Sequence, residues 1–412
     1  MKDSLRFSVS SLARNVVDPA GRIFAEQSGH LVDLSAVQVC WVGVDTVRQL
    51  YTGAVQADIG AWLERIEPGS TVRLWGHTWA TGKLGKASGY RWRFQNNELG
   101  VVILLGSYYA LFEQSGAHLK IEMSPHFIAA RSPEQLQAWV DRVAHYLLHD
   151  YRPSGVAVHL AVDVQGWTPP QDLERRFVTR ARRFSNYSGI SACDFDLNQA
   201  AATYGRGETW LFGSAASLQT CLYRKDLLAT KLDKIDYWNS VWSGYTFGDH
   251  QPEAPVFRLE MRFHHQVTAE LARSQTRECV TYAQAAPLLA DFWRYALDHN
   301  RLETAKDHIA PIWQLLRDDP QWITPPEGLA LCRVRKESVA AIGRNLANVV
   351  GNLASVVARS SVDPFFFLQQ LKGLSIWPEL KRYYAERDLD QEDLIERFRE
   401  TLESRRLIGK AA

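Results

Sequence analysis

The chain has 412 residues, with 47 basic and 46 acidic side chains, so its net charge is only +1. That balance excludes a wholly basic coat, and 46% hydrophobic against 23% charged residues fits a globular chain with room for two or three cores. No apolar run approaches ~18 residues, which excludes a membrane-spanning helix, and the five scattered cysteines form no CxxC pair, so neither a zinc site nor a disulfide frame is suggested.

The first residues, MKDSLRFSVSSLARN, lack the apolar stretch of a secretory leader, and a reducing cytoplasm is the expected compartment. Residues 1–36 read as a polar, weakly structured lead-in. VQVCWVGVDTVRQLY (37–51) is a strong strand signal with Asp45 inside it. A carboxylate in a β-branched strand either faces solvent or is paired, hydrogen-bonded or metal-bound. A short amphipathic helix (57–66) follows. STVRLWGH, YRWRFQNN, GVVILLGS and HLKIEMS then read as short strands separated by turn signals, the pattern of an antiparallel or mixed sheet. His118, Lys120 and Glu122 share one face of the last of these.

Residues 132–150 form a well-signalled helix, with Ser132 as N-cap, Pro133 at the first helical position and apolar residues at i, i+3 and i+4. GVAVHLAVDV (155–164) is the next strand. His159 and Asp163 lie four apart, hence on one face, where metal binding or general-base work and a plain structural role are both open. QDLERRFVTRARR (171–183) holds five arginines against two acids. Arg175, Arg176, Arg180, Arg182 and Arg183 suit phosphate contacts; the plainer alternative is a solvated helix with Glu174 paired to an arginine.

From Thr209 to Lys225 the chain again reads as strand, turning at Gly213-Ser214 and ending in Tyr223-Arg224-Lys225. Val256 to Phe263 alternates: Phe257, Leu259, Met261 and Phe263 against Arg258, Glu260 and Arg262. A helix and a loop ending at Pro252 and Pro255 lie between. Residues 264–298 and 303–317 read as helices, and 335–412 as helical throughout, with Asp363 capping a helix that begins at Pro364. The sequence therefore predicts an α+β chain: an antiparallel or mixed β-sheet domain with flanking helices (37–279), then an α-helical C-terminal domain (280–412). There is no GxxxxGK[ST], GxSxG or HExxH, which leaves a nucleic-acid enzyme, a nucleic-acid binder or a structural protein.

GSAASLQTCLYRKDLLATK followed by APVFRLEMRF resembles the core of the rolling-circle replication initiation factors of plasmids, integrative elements and some filamentous phages. WVGVDTVRQLY resembles that family's first strand with its acid, HLKIEMSP its mid-domain strand, GVAVHLAVDVQGW its "RxDLAxD" strand and RFVTRARR the basic segment that follows. The likeness runs in order from about residue 37 to about 275. Two departures stand out. The "RxDLAxD" strand has Ala157 and His159 where Arg and Asp are common, and the "YDK" motif reads Tyr223-Arg224-Lys225.

The resemblance implies a DNA nicking-closing enzyme. Tyr223 would attack a phosphate at a replication origin, forming a 5′-phosphotyrosyl link and freeing a 3′-OH primer. Lys225, Arg258 and Arg262 would stabilise the added charge, and Arg262 would join the arginine-rich segment in holding DNA. Asp45, Glu122, His159, Asp163 and Glu260 would hold Mg²⁺ or Mn²⁺. Tyr187, Tyr204 and Tyr237 are fallback nucleophiles. The implied partners are single-stranded or cruciform origin DNA, a host helicase recruited through the helical tail, and a second copy of the chain; no membrane is implied. The competing expectation is a catalytically silent DNA-binding protein of a mobile element that uses the same sheet.

Overall fold

The computed structural model describes residues 14–15, 21–26, 29–179, 181, 184–186 and 209–334, then 352, 357, 363–385 and scattered positions to 400. The chain divides into two compact units, Met1–Val334 and Arg335–Ala412. The first is built on one eleven-stranded sheet in which each paired neighbour is antiparallel. The α+β class is as predicted, with the sheet purely antiparallel rather than mixed.

In chain order, β1 (Arg14–Asn15), β2 (Ile23–Ala25) and β3 (Leu31–Asp33) form a small sheet of their own, so the expected weakly structured lead-in contains strands. The large sheet takes β4 (Gln38–Val55), β5 (Thr71–Leu74), β6 (His77–Lys83), β7 (Tyr90–Asn96), β8 (Val101–Ser107), β9 (Gly116–Met123) and β10 (Leu148–Gln165). β11 (Phe177–Thr179) leaves it to pair elsewhere. β12 (Phe184–Asn186), β13 (Thr209–Gly213), β14 (Leu218–Arg224) and β15 (Val256–Phe263) complete it, in the order β12-β13-β14-β15-β10-β4-β9-β8-β7-β6-β5. The two longest strands, β4 and β10, pair with each other at the centre.

Alternation gives this sheet two unlike faces. Val47 on β4, Val158, Leu160 and Val162 on β10, and Leu259, Met261 and Phe263 on β15 belong to the main core. Against them pack α3 (Pro133–Leu147), α7 (His265–Arg273), α9 (Leu289–His299) and α10 (Pro311–Asp318). α3 starts as the sequence predicts: the Ser132 hydroxyl accepts from the Gln135 amide and Gln135 reaches back to the Ser132 amide, which satisfies two end donors at once.

The other face carries the polar residues and is covered at one end by α5 (Lys225–Lys231) and α6 (Ile235–Tyr245). The remaining helices are α1 (Ala57–Arg65), α2 (Pro125–Ala129), α4 (Leu173–Arg176) and α8 (Tyr282–Ala285).

Three expectations need correction. Residues 303–317 are not one helix: β16 (Asn300–Ala305) pairs with β11, turns through left-handed Asp307 (φ 65°) into β17 (His308–Ile309), and only then does α10 begin. The boundary expected at 279/280 lies inside the first unit, because Phe292, Trp293, Trp313 and Leu316 are buried in the sheet's own core. In the segment 171–183, α4 spans four residues and gives way to β11; Arg176 pairs with Asp172 (3.0 Å) rather than an arginine with Glu174. Arg175 and Arg176 are exposed, and Arg180, Arg182 and Arg183 lie outside the described residues.

In the second unit, α11 (Pro364–Gly373) begins where Asp363 accepts from the Phe366 amide at 3.1 Å, as its sequence predicts, and α12 (Trp377–Ala385) follows. The helix expected over 336–358 lies almost wholly outside the described residues. Among the described residues no helix is long and apolar enough to cross a membrane.

Candidate metal and tyrosine centre

The polar face gathers its residues by register. On β15, Arg262, Glu260 and Arg258 stand opposite His159, Ala161 and Asp163 of β10, and opposite Gln219, Cys221 and Tyr223 of β14. On the far side of β10, His159 pairs with Thr46 but Leu160 pairs with Val44, so β4 carries one extra residue, Asp45. This β-bulge re-aims the Asp45 side chain toward the acids and bases of the neighbouring strands. Three strands thereby bring Asp45, His159 and Glu260 together, with one ligand atom of each lying within 4.8 Å of the others.

Glu260 is the hub. Its carboxylate meets His159 Nδ1 at 3.0 Å and accepts from Arg262 Nε at 2.8 Å. The Tyr223 hydroxyl donates to its other oxygen at 3.1 Å. Burial disfavours the Glu260 charge, but Arg262 and His159 outweigh it and hold its pKa well below the usual range. Burial and then the Glu260 charge push the Tyr223 phenol well above its ordinary value. The tyrosine is 4% exposed. The arrangement therefore keeps the phenol protonated and aimed at the carboxylate. His159 is pushed down by burial and by Arg48, against the pull of Glu260, so its imidazole is neutral and available as a ligand.

Arg258, expected to face a phosphate, is fully buried. It holds Asp163 by two parallel bonds of 2.6 and 2.7 Å and also reaches Asp45. Its guanidinium lies between two indoles, 4.7 Å from the Trp41 ring centre and 4.4 Å from that of Trp238. Gly43 makes this possible: a Cβ there would sit 2.5 Å from the Trp41 ring, which lies across the strand. The Trp242 N–H donates to Asp163 at 2.8 Å, closing the set from α6. Lys225, the first residue of α5, places Nζ 3.9 Å from Asp45 and 4.3 Å from the Trp238 ring centre. Burial and Arg258 lower its pKa to about 8.

The five predicted ligands thus separate. Asp45, His159 and Glu260 converge. Asp163 does not join them, because both its oxygens are taken by Arg258 and Trp242. Glu122 does not join them either: on β9 it is held by Arg48 at 3.3 Å and Lys120 at 3.0 Å, which keep it ionised despite burial. Arg262 serves Glu260, at the edge of the centre. Of the two departures from the resembled motifs, Arg224 points to the opposite face, pairing with Asp226 and lying over Phe257, so it does not enter the centre. Ala157 stands directly across from Arg48. Of the fallback tyrosines, Tyr237 is partly exposed on α6, while Tyr187 and Tyr204 lie outside the described residues.

Trp41, Trp238, Trp242 and Arg48 are part of the centre without having been expected there. Trp238 and Trp242 are spaced i, i+4 on one helix face, a signal that the general assignment of aromatics to the core absorbed.

Over 394 residues, the chain is 35% identical to the uncharacterized protein ORF430 of Pseudomonas phage Pf1, and the match covers 91% of each chain. The chain belongs to the family of that phage protein. No family profile matches it. No solved structure matches it either. The 91% span takes in every strand that contributes to the centre together with part or all of the second unit.

Proposed function

We propose that this protein is a rolling-circle replication initiator of the kind its sequence resembles. It would nick one DNA strand through Tyr223, with a divalent ion at Asp45, His159 and Glu260. The observation that carries the reading is the hydrogen bond from the Tyr223 hydroxyl to Glu260, the same carboxylate that completes the three-residue cluster. A nucleophile type and a metal-ligand set meet at one atom pair, although they come from four strands. Membership of a filamentous-phage protein family agrees with a replicon of this sort.

The donor set fits the ion: two carboxylates and one neutral imidazole, at the one place on the polar face where ligand atoms of three such residues converge among the described residues. When bound, a divalent ion supplies charge neutralisation at the phosphate and favours loss of the phenolic proton. The chain's own residues do the rest. Arg262 and His159 orient Glu260, and Glu260 orients the phenol. The Tyr223 oxygen bonds to phosphorus as the P–O3′ bond breaks; the phenolic proton passes toward Glu260 and solvent, and the 3′ oxygen takes a proton from solvent. Arg258 and Lys225 keep positive charge beside Asp45, close to the incoming phosphate. Because Tyr223 is buried, access requires the side chains of α5 and α6 to yield. The second unit, Arg335–Ala412, is the place for recruiting a helicase or a second copy.

One observation favours a second reading, a catalytically silent DNA-binding protein. Asp45 and Glu260 already have arginine partners, and the phenol is held protonated. Incubation with single-stranded oligonucleotides tiled across the encoding DNA, with Mn²⁺, separates the two. The initiator forms a detergent-stable protein–DNA adduct that disappears in Tyr223→Phe. A wild-type adduct that survives that substitution at full rate would show that another residue attacks. DNA binding that weakens steeply with salt, without any adduct, would establish the silent reading.

A further inference from the structure

The centre is not built from oxygen alone. Two of its three converging side chains are carboxylates, and the third is the imidazole of His159. Mg²⁺ is a hard ion that takes oxygen ligands and releases its waters reluctantly, whereas imidazole suits first-row transition ions. We infer that His159 makes this centre selective for a nitrogen-accepting transition ion, Mn²⁺ or Co²⁺, over Mg²⁺. The inference rests on the proposed metal centre but goes past it, since it names the class of ion.

Geometry supports it. His159 sits near the middle of β10, paired on one side with Thr46 and on the other with Arg262, so its backbone is fixed by two ladders. Its side chain is 8% exposed, with Nδ1 3.0 Å from Glu260. Metal–ligand bonds of about 2.1 Å put cis ligands about 3 Å apart and trans ligands about 4 Å apart. The cluster's ligand atoms fall within 4.8 Å of one another, so small side-chain shifts close the sphere. The buried imidazole is not a spectator that an all-oxygen ion could leave in water. A Mg²⁺ ion here would either accept a poor nitrogen ligand or leave a site short of one carboxylate. The neighbours that could supply another oxygen are spoken for: Asp163 by Arg258 and Trp242, Glu122 by Arg48 and Lys120.

The test uses the full chain without DNA. Free Mn²⁺ is followed by its paramagnetic resonance signal, Mg²⁺ is added as competitor, and electron–nuclear double resonance reports ligand nitrogen. Wild type is expected to keep Mn²⁺ against about a 100-fold excess of Mg²⁺ and to show a nitrogen coupling. His159→Asp, which makes the set all oxygen, is expected to lose the coupling and about tenfold or more of the preference. Tyr223→Phe should keep both properties.

Bound Mn²⁺ without a nitrogen coupling in wild type overturns the inference, and this readout does not depend on any variant folding. An unchanged preference in a folded His159→Asp protein overturns it as well. Selective Mn²⁺ binding with no DNA adduct overturns the nickase reading alone. Adduct formation with equal use of Mg²⁺ overturns this inference alone. No binding of either ion overturns both.

Discussion

Asp163 and Arg258 show how a residue's role is set by what lies across the strand. Sequence alternation correctly put Arg258, Glu260 and Arg262 on one face, and His159 with Asp163 on one face. It could not say that those two faces adjoin, because β10 and β15 are far apart in the chain and their pairing is a tertiary event. In the fold Asp163 stands opposite Arg258, and the two neutralise each other in full burial. Such a pair adds little net stability, but breaking it strands a charge. Asp163→Ala is therefore expected to cost about 3–5 kcal/mol in urea unfolding, because Arg258 loses its two-pronged partner. Asp163→Ala combined with Arg258→Met should recover much of that loss. A single-variant cost below about 1 kcal/mol would mean that Asp45 and the two indoles suffice to hold the guanidinium.

Elements whose signals are local were legible. The capping box and apolar spacing of α3 and the alternation of β15 lie in the words of the sequence themselves. The bulge at Asp45 was not, because an extra residue is visible only against a partner strand. Nor was β16, whose pairing with distant β11 overrode a helix-like apolar spacing.

The junction of β15 and α7 carries a consequence for pH. His264 caps α7, accepting from the Gln266 amide, and stacks on His265 with ring centres 4.0 Å apart. Burial, then His265, Arg48 and Lys120, lower its pKa from 6.5 to about 4. The folded chain thus binds fewer protons than the unfolded chain between those values, so stability falls as pH drops through that window. The lowered pKa of His159 acts in the same direction, and that of Glu260 adds its loss further into acid. The melting temperature should fall from pH 7 to pH 5. His264→Asn keeps a good helix cap and should flatten, without abolishing, that slope. An unchanged slope would place the protons elsewhere.

At the scale of the molecule, the sequence suggested a catalytic sheet ending near residue 279 with a helical domain after it. The described fold draws the line at Val334 instead. The reason is apolar area. Trp293 and Trp313 are fully buried, and their N–H groups donate to the Leu316 and Asn300 carbonyls. Phe292 stacks on Phe263 of β15, the strand that carries Glu260. The stretch after α10 is tied down too. Asp291 accepts from the Glu327 and Leu329 amides, while Arg333 bonds to Glu270 and to Ser217.

A chain cut after residue 279 would lose several large core side chains, each worth about 3–5 kcal/mol, against a typical total stability of about 5–15 kcal/mol. It is expected to be unfolded or molten, with lost near-ultraviolet dichroism. A chain cut after Val334 keeps every one of those contacts and should unfold in a single cooperative urea transition. If the nickase reading holds, that shorter chain should also form the Tyr223 adduct on oligonucleotides, because all residues of the centre lie between Trp41 and Arg262. Failure of the 1–334 chain to fold would mean that the second unit completes the first, and a folded 1–279 chain would mean that the sheet's polar face stands without the helices behind it.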